Sequence, residues 1–128
     1  MCGIVGILSN KENKSFVSKY IKVINKTLRH RGPDSKGIWA NSDSSVALGH
    51  NRLSIQDLSK NGSQPMSSSD GKYIMVFNGE IYNHLELRNK IHHKWKGNSD
   101  TETLLELISK LGLKKTLKLI SGMFAFGF

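Results

Sequence analysis

Residues 2–8, Cys-Gly-Ile-Val-Gly-Ile-Leu, form a short apolar, partly β-branched run that predicts a buried strand. Its two glycines suit a place where another backbone or a ligand comes close. Polar residues 9–14 read as a turn. From Ser15 to Leu28 the apolar positions Phe16, Val17, Tyr20, Ile21, Ile24 and Leu28 recur every three or four residues between lysines, which predicts an amphipathic helix capped by Ser15 and broken at Gly32-Pro33. Residues 37–41 and 45–50 read as a hairpin around an Asn-Ser-Asp-Ser turn. A polar, irregular stretch over 51–71 precedes the strongest strand signal in the chain, residues 72–78. Helices are predicted over 83–92, from the capping box Ser99-Asp-Thr-Glu102 through Leu111, and over 113–120 with Leu113, Leu117 and Ile120 inward. Residues 122–128 read as a buried strand. With no polar tail after it, the sequence is expected to be cut in mid-domain.

A length of 128 residues allows one ordinary domain, and 38% hydrophobic against 23% charged residues allows a packed core. No apolar run approaches the roughly 20 residues that span a bilayer, and no secretory pattern opens the chain. The single cysteine excludes an internal disulfide framework and suits a reducing compartment. These features point to a cytoplasmic protein without a membrane partner. The formal charge of +9 raises the question of nucleic acid. Residues 1–60 carry 10 basic and 4 acidic groups, and residues 61–128 carry 9 and 6, so no basic arm or tail exists. The densest basic stretch, Lys90 to Lys96, reads as a solvated lysine-rich helix end, and no nucleic-acid partner is expected.

The histidines (His30, His50, His84, His92, His93) lack ligand spacing with a second cysteine, and no phosphate-binding glycine loop is present, so neither a metal site nor a nucleotide site is expected in this chain. Cys2 is the conspicuous candidate. Removal of Met1 would leave its thiol beside its own α-amine, whose unperturbed pKa near 8 suits a proton acceptor. Nucleophile and base would then share one residue. A small buried hydrophobe at the start of a strand fits Cys2 equally well on position alone. Asn78-Gly79, by itself, reads as a turn at a strand end.

Several clusters decide between these readings. Met-Cys-Gly-Ile-Val-Gly opens the chain. Arg29-His-Arg-Gly-Pro-Asp34, His50-Asn-Arg-Leu-Ser-Ile-Gln-Asp57, Gln64-Pro-Met66, Phe77-Asn-Gly-Glu-Ile-Tyr-Asn83, Ser99-Asp-Thr-Glu102 and Gly122-Met-Phe-Ala-Phe126 follow in order. Over residues 1–128 the chain resembles the N-terminal glutaminase domain of glutamine-hydrolysing asparagine synthetases, which are class II, N-terminal-nucleophile amidotransferases. That resemblance implies an α+β fold, a four-layer αββα sandwich of mostly antiparallel sheets, incomplete at the C-terminus. It implies that Cys2 attacks the carboxamide of glutamine, with Asn78 and the backbone of Gly79 as the oxyanion hole. Arg52 is implied to hold the α-carboxylate, Glu80 and Asp100 the α-ammonium, and the backbone of Ser54 and Ile55 to line the pocket. Arg29, Arg31 and Asp34 are expected to fix the turn after the first helix.

The implied partners are glutamine and a synthetase domain, with a homodimer as one assembly. ATP and magnesium are implied only for that synthetase domain, where ammonia would amidate aspartate. Two other readings stand beside this one: a truncated product without enzymatic activity, and the glutaminase part of an amidotransferase serving another acceptor, such as a cell-surface sugar.

Overall fold

A computed structural model describes residues 2–10 and 14–128. Its strands and α-helices follow in the order β1 (Gly3–Leu8), α1 (Lys14–Thr27), β2 (Ser35–Ala40), β3 (Val46–Arg52), β4 (Met66–Ser67), β5 (Ile74–Ile81), α2 (His84–Arg88), α3 (Asp100–Leu111), α4 (Leu113–Leu117) and β6 (Gly122–Gly127). The strands form two antiparallel sheets, ordered β1-β3-β2 and β4-β5-β6.

Period-two alternation on β3 explains the layering, since successive side chains leave opposite faces of a strand. Ala47 packs with Val17 and Ile21 of α1, and Asn51 donates to the Asn25 side chain at 2.8 Å. The alternate residue His50 turns the other way and reaches the Phe77 carbonyl of β5 at 3.2 Å. On β5, Met75, Phe77 and Ile81 enter a second core with Leu104, Leu105, Leu107 and Ile108 of α3. Helix α1, the two sheets and α3 therefore stack as four layers, the αββα arrangement of an α+β fold.

Several local expectations change. Helix α1 starts at Lys14, so Ser15 lies inside its first turn; the Ser15 side chain and residues 11–13 of the expected turn fall outside the described residues, as does Met1. Its buried stripe is the narrow series Val17, Ile21 and Asn25, while Phe16, Tyr20 and Ile24 stay exposed with the first two rings stacked at 4.1 Å. A 3-10 turn, Leu28–Arg31, intervenes before Gly32-Pro33. Helix α2 ends at Arg88 rather than 92. In α4 the buried residue is Thr116, whose hydroxyl bonds the Gly112 carbonyl at 2.9 Å, and Leu117 is 44% exposed. Five residues are too few for a leucine pair to define an inward face. Strand β6 is half open: Met123 is 68% exposed while Phe124 and Phe126 pack on the α3 core.

The capping box forms only in part. Ser99 accepts from the Glu102 N–H at 3.2 Å, as an N-cap does. Glu102 itself turns away and accepts from the Lys96 and Gly97 N–H groups at 2.8 and 3.0 Å. The basic stretch 90–96 is thus a strap on α3, not a solvated helix end. His93 lies between Glu102 and Glu106 at 3.4 and 3.5 Å, and the Arg88 guanidinium sits 4.4 Å from the Trp95 ring centre. Its lysines remain exposed.

Candidate active site

Where the open ends of the two sheets meet, a cavity of about 170 Å³ is lined by Cys2, Arg52, Ile55, Asn78, Gly79, Glu80 and Asp100 among others. Four separate stretches of chain supply these groups, and each is held by local structure. Cys2 immediately precedes β1. Its thiol accepts from the Leu53 N–H at 3.4 Å and donates to the Leu53 carbonyl at 3.6 Å, which places the sulfur beside the end of β3. Arg52, the last residue of β3, is buried. It donates to the Ser59 carbonyl at 2.8 Å and to the Asp57 carbonyl. A guanidinium has five N–H donors, so two loop carbonyls hold it in place and leave donors for a ligand.

Asn78 and Gly79 do not form a turn. Strand β5 runs through them to Ile81 and pairs Asn78 with Ala125 and Gly79 with Phe124. Gly79 has φ +156°, and a Cβ there would collide with the Met123 carbonyl and with Phe124. Glycine is what lets β6 approach this closely. The Asn78 Oδ1 atom is buried without a partner, so the fold leaves the acceptor end of this amide unused.

Asp100 opens α3 and is 5% exposed. Burial pushes its carboxyl above the usual aspartate range, partly offset by the Ile81 N–H that its Oδ2 accepts at 2.9 Å and by the neighbouring His84. Glu80 is exposed at the mouth and accepts from the Gln56 amide at 3.1 Å. Ile55, Tyr82 and Met123 form an exposed apolar rim.

Ser54 is the exception. It is not among the residues lining this cavity, and its N–H donates to Asp34 Oδ2 at 2.7 Å. Asp34 also donates its own N–H to the Arg52 carbonyl at 3.0 Å, so the Gly32-Pro33-Asp34 turn braces the segment that carries Arg52. Three groups near the cavity were given no role by the sequence: Gln64 and Thr101, which line it and lie inside the Gln64-Pro-Met66 and Ser99-Asp-Thr-Glu102 clusters, and His84, whose imidazole pKa is lowered by burial. Among the described residues, no group of three or more His, Cys, Asp or Glu is placed to hold a metal ion, and no helix is long and apolar enough to cross a membrane.

This arrangement puts a thiol, a guanidinium, an amide, a close-packed glycine and two carboxylates around a space the size of a small polar molecule. The profile of the glutamine amidotransferase domain matches residues 1–128. The chain belongs to that family. Among curated relatives, this glutamine amidotransferase domain is similar to asparagine synthetase [glutamine-hydrolyzing] 1 of Bacillus subtilis, at 41% identity over 98% of the chain and 20% of the relative. It is also similar to asparagine synthetase B [glutamine-hydrolyzing] of Escherichia coli, at 38% identity over 98% of the chain and 22% of the relative. Asparagine synthetase [glutamine-hydrolyzing] 1 of Arabidopsis thaliana follows at 35% identity, covering 98% and 21%. The chain spans about a fifth of the length of these three relatives.

Proposed function

We propose that this amidotransferase domain hydrolyses the side-chain amide of glutamine to glutamate and ammonia, with Cys2 as nucleophile. The observation that supports it is the convergence of Cys2, Arg52, Asn78, Gly79, Glu80 and Asp100 on one small cavity. Once Met1 is removed, the α-amine of Cys2 takes the thiol proton, and the thiolate attacks the carboxamide carbon. The resulting oxyanion is stabilised by the Asn78 side-chain amide and the Gly79 N–H; losing one such donor costs roughly 3 kcal/mol of transition-state stabilisation. The C–N bond then breaks, the Cys2 ammonium returns its proton to the departing nitrogen, and ammonia leaves. Water hydrolyses the remaining thioester and glutamate departs.

Arg52 holds the α-carboxylate through guanidinium donors, a geometry suited to bidentate binding. Asp100 and Glu80 receive the α-ammonium, Glu80 with acceptor capacity that the Gln56 bond leaves free. Ile55 contacts the substrate from the rim. Ser54 acts only by spacing Arg52 and Ile55. Every step uses side chains and backbone of this chain, and no cofactor is required for it. By likeness to the relatives, the ammonia serves a synthetase domain that amidates aspartate with ATP. Ammonia release from glutamine, lost in Cys2→Ala, tests the reading; undiminished release in Cys2→Ala overturns it.

A further inference from the structure

We propose that Gln64 is a positioning residue that ties the strand bearing Asn78 and Gly79 to the helix end bearing Asp100. The proposal rests on the glutaminase reading above. Gln64 lines the cavity, and its side chain is bonded at both ends: Oε1 accepts from the Phe77 N–H at 2.6 Å, and Nε2 donates to Thr101 Oγ1 at 3.1 Å. A backbone N–H can only donate, so the amide is oriented with its oxygen toward β5. The two partners are the immediate neighbours of Asn78 and of Asp100.

A second tie closes the frame. Asp100 Oδ2 accepts from the Ile81 N–H at 2.9 Å. The segment 78–80, which carries the oxyanion donors and Glu80, is therefore suspended between two anchors on the start of α3: Phe77 through Gln64 to Thr101, and Ile81 directly to Asp100. The Phe77 peptide is also fixed from its other side, where His50 Nε2 meets its carbonyl at 3.2 Å. Gln64 is itself seated: a Cβ on Gly37 of β2 would collide with its carbonyl and sit 2.9 Å from Pro65 Cδ. A carboxamide offers an acceptor to a backbone N–H and a donor to a hydroxyl from one planar group. Glutamine at this position keeps the oxyanion donors and the ammonium site at one spacing.

The test is steady-state glutamine hydrolysis with competent sites counted by a glutamine-analogue electrophile, so that misfolded molecules drop out of the rate. Gln64→Leu keeps the volume and breaks both ties; its kcat per titrated site falls on the order of 10- to 100-fold, as a small misplacement of reacting groups does. Gln64→Glu retains the acceptor for Phe77, its second oxygen accepts from the Thr101 hydroxyl, and it recovers most of that loss. Thr101→Val cuts only the tie at the helix end; it lowers kcat per site and raises KM, each about 3- to 10-fold, the effect of one lost hydrogen bond and smaller than that of Gln64→Leu. A Gln64→Leu rate per site within about threefold of the parent, in a protein whose Cys2→Ala variant is inactive, overturns this proposal and leaves the glutaminase reading intact. Should Gln64→Leu fail to fold, unchanged kcat and KM in Thr101→Val overturn it instead. Full activity in Cys2→Ala overturns the glutaminase reading and this proposal together.

Discussion

His50 offers a quantitative test of how the two sheets are packed. It points from β3 toward β5, is 1% exposed, and donates from Nε2 to the Phe77 carbonyl at 3.2 Å. Burial lowers its pKa from 6.5 to about 4; the Phe77 carbonyl pulls it part of the way back, and the charge of Arg52 adds to the lowering. In the unfolded chain the imidazole takes up a proton near pH 6.5, whereas the folded protein refuses it until about pH 4. The neutral, buried state therefore supports folding above pH 6.5, and that support drains away as pH falls through the window between the two values. The gap is worth about 3 kcal/mol once both states are protonated, and about 2 kcal/mol of it is lost by pH 5. The perturbation is His50→Gln, which cannot titrate. Urea unfolding at pH 7 and pH 5 gives the acid-induced loss for each protein; other histidines, including His84, contribute equally to both and cancel. The parent should lose about 2 kcal/mol more than the variant over this interval. Equal losses, within about 0.5 kcal/mol, would refute the placement of a neutral imidazole between the sheets.

Asp100→Asn keeps an oxygen for the Ile81 N–H but removes the charge, and is expected to raise KM for glutamine on the order of 10- to 100-fold in steady-state assays. Because burial raises the Asp100 pKa, the parent's KM should climb on acidification at a higher pH than an ordinary aspartate would cause, and the asparagine variant should lack that climb. Gly79→Ala forces a methyl into the Met123 carbonyl and should destabilise by about 2 kcal/mol in chemical denaturation while lowering kcat. Leu105→Ala, at a fully buried position in the α3 core, should cost about 3 kcal/mol by the same measurement.

Five strands and α3 were legible because their signals are local; the two-residue β4 lies in the stretch 51–71 that reads as irregular. Apolar runs mark β1 and β5, and Ser99 followed by Glu102 marks where α3 begins. The site was legible through resemblance: nothing in the spacing of Cys2, Arg52, Asn78 and Asp100 says that they meet, and it takes the pairing of β1 with β3, the packing of both on β5 and the Asp100–Ile81 bond to bring them together. Where signals conflicted, partners decided. Asn78-Gly79 has turn chemistry, yet β6 extends β5 through it. The lysines of 90–96 suggested a solvated segment, while His93 and Trp95 found Glu102, Glu106 and Arg88. Gln64 stood out as part of Gln64-Pro-Met66, yet it lies in a polar loop without periodicity, and nothing local announces its bonds to residues 13 and 37 positions away. In α1, Phe16 and Tyr20 obey the helical period but stack on each other outside the stripe that Val17, Ile21 and Asn25 bury.

Intact mass after exposure to a glutamine-analogue electrophile reports both whether Cys2 is the mature N-terminus and whether its thiol is the nucleophile. A single adduct is expected on a chain that has lost Met1, protected by glutamine and absent in Cys2→Ala. An unmodified parent chain, or an adduct that persists in Cys2→Ala, would contradict it.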